Sequence, residues 1–199
     1  MNMPPLETAR LRIRPFILAD LDAVYQLFNV DLVEADLRTE KMASKDERFE
    51  WLRWSVLNYD QLAKLYQPPY GDRAIVLKST GQLIGSCGYV PLLMPFEQIP
   101  GLASDDRPPR SGLSTTEFGL FYAISPAHRR HGYASEAAQA LVEYAFQHLR
   151  LKRVVATTTH NNIGSMGVMR RLGMRVERNP LPEPHWMQVV GVIENPAAY

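Results

Sequence analysis

The chain has 199 residues, within the ~100–200 expected of one domain. Hydrophobic residues make up 46% and charged residues 22%, which excludes a largely disordered or collagen-like chain. Lysine plus arginine (22) against aspartate plus glutamate (21) leaves a net charge of +1, so any anionic ligand must be held by a local cluster, and neither nucleic acid nor a membrane surface is an expected partner.

Met1 to Glu7 shows no basic stretch followed by an apolar core, so no secretory leader is expected. Arg10-Leu11-Arg12-Ile13-Arg14 alternates polar and apolar residues, the strand period, and Pro15 ends its ladder donation. Asp20 to Phe28 has apolar residues at helical spacing, with acids in the first turn where the helix dipole favours them. Asp46 to Tyr66 predicts a second helix, stopped by Pro68, Pro69 and Gly71. Arg73–Lys78 and Leu83–Val90 predict a hairpin around Ser79-Thr80-Gly81-Gln82. Cys87, the single cysteine, rules out an internal disulfide and a cysteine-rich zinc site. It lies in an apolar strand with no cationic neighbour, so a buried structural thiol is expected.

Pro91 to Thr116 holds five prolines and two glycines and reads as a long loop. Such loops beyond ~12–15 residues are commonly lids, linkers or mobile segments. With Asp105 and Asp106, this one is a candidate to close over a substrate or to mediate a dimer. Glu117 to Ile124 predicts a central apolar strand, Ser135 to Leu149 a helix, and Arg153 to Thr159 a β-branched strand. That strand–helix–strand unit implies a parallel pair. Ile163 to Leu172 predicts a short helix with Gly173 just past its end, and Gln188 to Ile193 a last strand. No apolar run approaches the ~18–20 residues that span a bilayer.

Two segments carry chemistry. Ser125 to Glu136 joins a strand to a helix, and such a junction leaves backbone N–H groups and a helix dipole facing one point, a ready anion site. Gly132 admits a backbone conformation that a β-carbon hinders, and Ala134 leaves room for close approach. Arg129, Arg130 and His131 concentrate positive charge there. The competing reading is an ordinary helix start with solvated arginines. Neither dinucleotide-binding glycines nor a Walker lysine is present. In the second segment, Asn162 is placed to cap a helix, with Ser165 three residues on.

Arg129-x-x-Gly132-x-Ala134 resembles the acetyl-CoA pyrophosphate motif of the GNAT N-acetyltransferase superfamily. Asn162-x-x-Ser165-x-x-Val168-x-x-x-Leu172-Gly173-Met174 resembles its next helix. Leu6 to Pro15 and Glu117-Phe118-Gly119 resemble the RimJ/RimL-type branch, named for ribosomal-protein N-terminal acetyltransferases. The resemblance implies one mixed α/β domain over residues 1–199, a mostly antiparallel central sheet flanked by helices. It implies acetyl-CoA as co-substrate, no metal, a cytoplasmic location and an amine acceptor: a protein or peptide N-terminus, an amino acid or a small amine. A homodimer is left open.

On the same resemblance, main chain at Ala123 and Ile124 pairs with the pantetheine arm. Amides of Arg129, Arg130, His131, Gly132, Tyr133, Ala134 and Ser135 hold the diphosphate, and Asn162 hydrogen-bonds the arm. The amine attacks the thioester directly in a ternary complex, with no acyl-enzyme. Glu117 is the candidate base, against a salt bridge or solvent-facing strand end. Ser165 is the candidate proton donor, against helix capping, because Met169 stands where many members carry a tyrosine and cannot donate. His128, His131 and His160 are too scattered for a metal site. Trp51 and Trp54 are read as core or as acceptor-pocket lining. The rival functions are a non-catalytic acyl-CoA-binding module and a partner-binding protein that uses the proline-rich loop.

Overall fold

The structure, a computed structural model, describes residues 2–34, 41–102 and 112–198. In chain order its regular elements are β1 (Leu6–Glu7), β2 (Leu11–Pro15), α1 (Leu21–Tyr25), α2 (Leu32–Glu34), α3 (Lys45–Lys64), β3 (Gly71–Leu77), β4 (Leu83–Met94) and β5 (Thr115–Ile124). Then follow α4 (Tyr133–Gln147), β6 (Arg153–Thr158), α5 (Ile163–Arg171), β7 (Arg175–Arg178) and β8 (Val189–Glu194). The described strands form an eight-stranded sheet in the order β1-β2-β3-β4-β5-β6-β8-β7. Neighbours from β1 to β4 pair antiparallel, as do β6 with β8 and β7 with β8. The expected parallel pair is β5 with β6, in register at Gly119 and Val155.

The chain divides into two compact units. One comprises Met1–Tyr89 and Phe121–Leu141. Its core packs Phe16, Val24, Leu27, Phe28, Leu32 and Leu52 against Ala74 and Val76 of β3. Trp51 joins this core, edge-on to Phe28 at 5.2 Å and to Phe16 at 6.0 Å between ring centres. Burial of each such side chain is worth about 1.5–3 kcal/mol. Trp54 instead lies exposed on α3. Helix α3 starts at Ser44, whose Oγ accepts the Glu47 amide at 3.1 Å. It ends before the prolines, with Tyr66 in the left-handed region at φ 56°. The single helix expected over 20–28 is replaced by a 3-10 turn at Leu18–Asp20, α1, and a π-helical segment at Gln26–Asp31. The wider π turn changes which side chains share a face. Here it ends at Asp31, whose Oδ2 accepts the Ser125 hydroxyl at 2.6 Å.

The other unit comprises Val90–Leu120 and Val142–Tyr199. Its core joins Phe96 and Ile99 to Val155, Met187, Val190 and Val192. Much of the expected 91–116 loop is therefore ordered packing. Strand β4 runs on to Met94, and 3-10 turns follow at Phe96–Gln98 and Pro100–Leu102. The Gly101 amide donates to Glu177 Oε2 at 3.0 Å, and Arg175 returns a bond to the Gly101 carbonyl at 3.0 Å. Buried apolar side chains, not local propensity, order this stretch, which is why its prolines misled. Asp105 and Asp106 lie outside the described residues.

Candidate functional site

Strand β5 ends at Ile124, and Ser125 turns the chain with its amide on the Ile84 carbonyl at 2.9 Å. A 3-10 turn at Pro126–His128 follows. The chain then passes through two left-handed residues, Arg130 at φ 63° and Gly132 at φ 82°, before α4 begins at Tyr133. Alternation of right- and left-handed residues aims successive N–H groups into one concavity, a nest for an anion. Gly132 was legible from its type, but Arg130 in the left-handed region was not. Among the described residues, the amides of Arg130, His131, Gly132, Tyr133, Ala134 and Ser135 have no acceptor in the protein, and the first helical bond is Glu136 N–H to Gly132.

The side chains around this turn agree. Ser135 Oγ is buried with no hydrogen-bond partner, as is His128 Nδ1. An orphaned buried hydroxyl costs about 1–3 kcal/mol and invites a ligand. Arg129 and Arg130 are exposed. The His131 ring is held by Nδ1 to the Arg129 carbonyl at 2.7 Å and stacks on Tyr133. Donors, positive charge and a missing β-carbon therefore converge, and the residues present fit a diphosphate. At the strand end, the Ile124 carbonyl accepts Arg129 Nε at 3.3 Å. Gly85 lets Ala123 close in: a β-carbon at Gly85 would stand 2.3 Å from the Ala123 carbonyl oxygen.

A contact that sequence reasoning missed braces the turn. Glu136, in the first turn of α4, accepts Thr8 Oγ1 at 2.6 Å, the Arg10 amide at 2.9 Å and Arg10 Nε at 2.7 Å. Burial alone would raise the Glu136 carboxyl, but these bonds and the Arg10 charge hold it below the usual glutamate range. The partners lie 126 residues apart, so no local pattern announces them.

The second unit treats its polar residues differently. Asn162 caps α5 as expected, its Oδ1 accepting the Ser165 amide at 3.0 Å. Ser165 thus contributes its main-chain amide to the cap. Met169 is fully buried, with its thioether 3.0 Å from where a Gly191 β-carbon would stand. It is a core residue, and the absence of a β-carbon at Gly191 makes room for it. Glu117 is paired with Arg153: Nε reaches Oε2 at 2.8 Å and Nη2 meets Oε1, with 8% of the Glu117 side chain exposed. Cys87, in the first unit, is fully buried, and burial pushes its thiol well above the ordinary range, so it is no nucleophile.

The mixed sheet with this strand–turn–helix is the architecture of the GNAT acetyltransferases. The model of an acetyltransferase (GNAT) domain matches residues 10–175, and the chain belongs to that family. The uncharacterized N-acetyltransferase YoaA of Bacillus subtilis is 29% identical over 175 residues, 87% of this chain and 84% of its own. YjdG of the same organism, also an uncharacterized N-acetyltransferase, is 26% identical over 92% of this chain and 97% of its own. YnaD is 46% identical, over 33% of this chain and 38% of its own length. Among solved structures, an acetyltransferase from Agrobacterium tumefaciens superposes with a TM-score of 0.68 at 22% identity, covering 98% of this chain and 96% of its own. The ribosomal-protein-S5-alanine acetyltransferase of Vibrio fischeri gives 0.69 at 15% identity, covering 99% and 100%. At those identities the likeness concerns the fold. The described residues contain no helix long and apolar enough to cross a membrane.

Proposed function

We propose that the chain transfers an acetyl group from acetyl-CoA to a primary amine, by direct attack in a ternary complex. The observation that carries this is the turn at 129–135, with its unbonded amides and the orphaned Ser135 hydroxyl. Acetyl-CoA, when bound, supplies the activated thioester. The amides from Arg130 to Ser135 and the Ser135 hydroxyl hold the diphosphate, and Arg129 and Arg130 add charge beside it. Main chain at Ala123 and Ile124, and the Asn162 side chain, are assigned to the pantetheine arm on the motif resemblance. Among the described residues Asn162 Nδ2 has no acceptor, which supports that assignment. The burial of Cys87 supports direct transfer, since it leaves no thiol to carry the acyl group.

Of the two roles open to Glu117, the geometry supports the ion pair. A guanidinium fork engages both carboxylate oxygens, which suits a structural brace. Glu117→Gln decides between them: a base predicts lost turnover at every amine concentration, a brace predicts lost stability. The family match crosses both compact units, which supports a single catalytic domain. The acceptor class is tested by thiol release from acetyl-CoA across amino acids, small amines and peptide N-termini. Release with at least one amine is expected.

The second reading is an acyl-CoA-binding module without catalysis. The paired Glu117 and the buried Met169 favour it, because neither then handles a proton. It predicts CoA binding with no thiol release for any amine.

A further inference from the structure

Helix α4 carries an acid, Glu136, in its first turn. Without a ligand an acid there suits the helix dipole. With a diphosphate in the turn, the same carboxylate competes for the positive end of the helix and repels the ligand. The structure disposes of that charge with one residue from the other end of the sequence. Arg10 gives Glu136 its amide at 2.9 Å, Nε at 2.7 Å and Nη2 at 2.6 Å, while Thr8 donates its hydroxyl at 2.6 Å. The same guanidinium donates Nη1 to the His131 carbonyl at 2.9 Å. Its centre lies 4.6 Å from the middle of the Tyr133 ring, and Nη2 lies 3.4 Å from where a Gly132 β-carbon would stand. Arg10 therefore touches four residues of the turn and the start of the helix.

We infer that Arg10 is a positioning residue for the coenzyme, cancelling the Glu136 carboxylate and holding the His131 carbonyl so that the turn presents donors alone. This rests on the reading of the turn as a diphosphate cradle. A salt bridge placed only for stability would have no reason to take the carbonyl of the turn as well. Nor would it need to lie against the glycine that shapes the turn.

The test is CoA titration by calorimetry and steady-state kinetics on the full chain. The wild type binds CoA. Arg10→Ala weakens CoA and raises the KM for acetyl-CoA about tenfold, with kcat within about twofold, because the loss is in ground-state binding. The double variant Arg10→Ala with Glu136→Gln recovers most of that loss, since the unmasked charge is gone. A brace serving only stability would lose more in the double variant, not less. Wild-type affinity in Arg10→Ala, or a double variant as weak as the single one, overturns the inference. Should Arg10→Ala fail to fold, Arg10→Lys keeps the charge on the same strand. Lysine lacks the fork, so CoA affinity falls; recovery on adding Glu136→Gln supports the inference, and no recovery overturns it. A wild-type chain that binds no CoA overturns the cradle reading itself and this inference with it.

Discussion

The openings of α4 and α5 face the same physical problem and solve it in opposite ways. Each helix begins with amides that have no partner inside the helix. At α5 the problem is solved internally: Asn162 Oδ1 takes the Ser165 amide, and Met169 seats the helix on Gly191. At α4 it is left open. Six amides and a buried hydroxyl are left without acceptors, while Arg10 pairs with the local acid. A satisfied helix start is structure, and the one left unsatisfied, with its neighbouring charge cancelled at long range, is what the proposed coenzyme site rests on.

That contrast can be broken most directly at Gly132. Replacement by Glu puts a bulky anion in the turn at φ 82°. The strain alone costs about 1–2 kcal/mol. CoA binding by calorimetry should vanish, and unchanged affinity would remove the α4 opening as the site. Next in size, Glu117→Gln breaks the fork with Arg153 and should lower stability to denaturant by about 1–2 kcal/mol, leaving CoA affinity unchanged. If turnover falls to background while the denaturation midpoint holds, Glu117 is a base after all. Ser135→Ala should weaken CoA about three- to tenfold, the worth of one hydrogen bond to a charged group, with an unchanged or slightly raised melting temperature. Ser165→Ala sharpens the other side: the cap uses the main chain, so the melting temperature should stay put, and a fall in turnover alone would restore the hydroxyl as a proton donor.

The pH dependence also separates the two regions. The Glu136 carboxyl is depressed in the folded state, so its contribution is present above the unfolded value and is lost as pH falls through the folded one. Acid below the ordinary glutamate range should therefore loosen α4 first, read as amide exchange at residues 131–136. Arg10→Ala leaves the Thr8 hydroxyl and the residue-10 amide on Glu136 and should therefore weaken that dependence, whereas the α5 opening, capped by a neutral amide, should show none.

The sequence was most informative where a few neighbours decide the outcome. Alternation over Arg10–Arg14, the β-branched run at 153–158 and the Asn162 cap all depend on side chains within a turn or a strand, and each is found in the structure. The strand-to-helix turn with a left-handed Gly132 was legible for the same reason. The prolines of 91–102 misled, because burial of Phe96 and Ile99 outweighs local propensity there.

What the chain determined on its own is the order of its elements, the strand–turn–helix that can hold an anion, and the family motifs set in them. Tertiary structure alone decided who meets whom. It gave Arg153 to Glu117, sent Met169 into the core, and brought Arg10 to Glu136. Backbone conformation and helix capping are settled by neighbouring residues, whereas the partner of a charge is settled by whichever distant segment the fold carries within bonding distance.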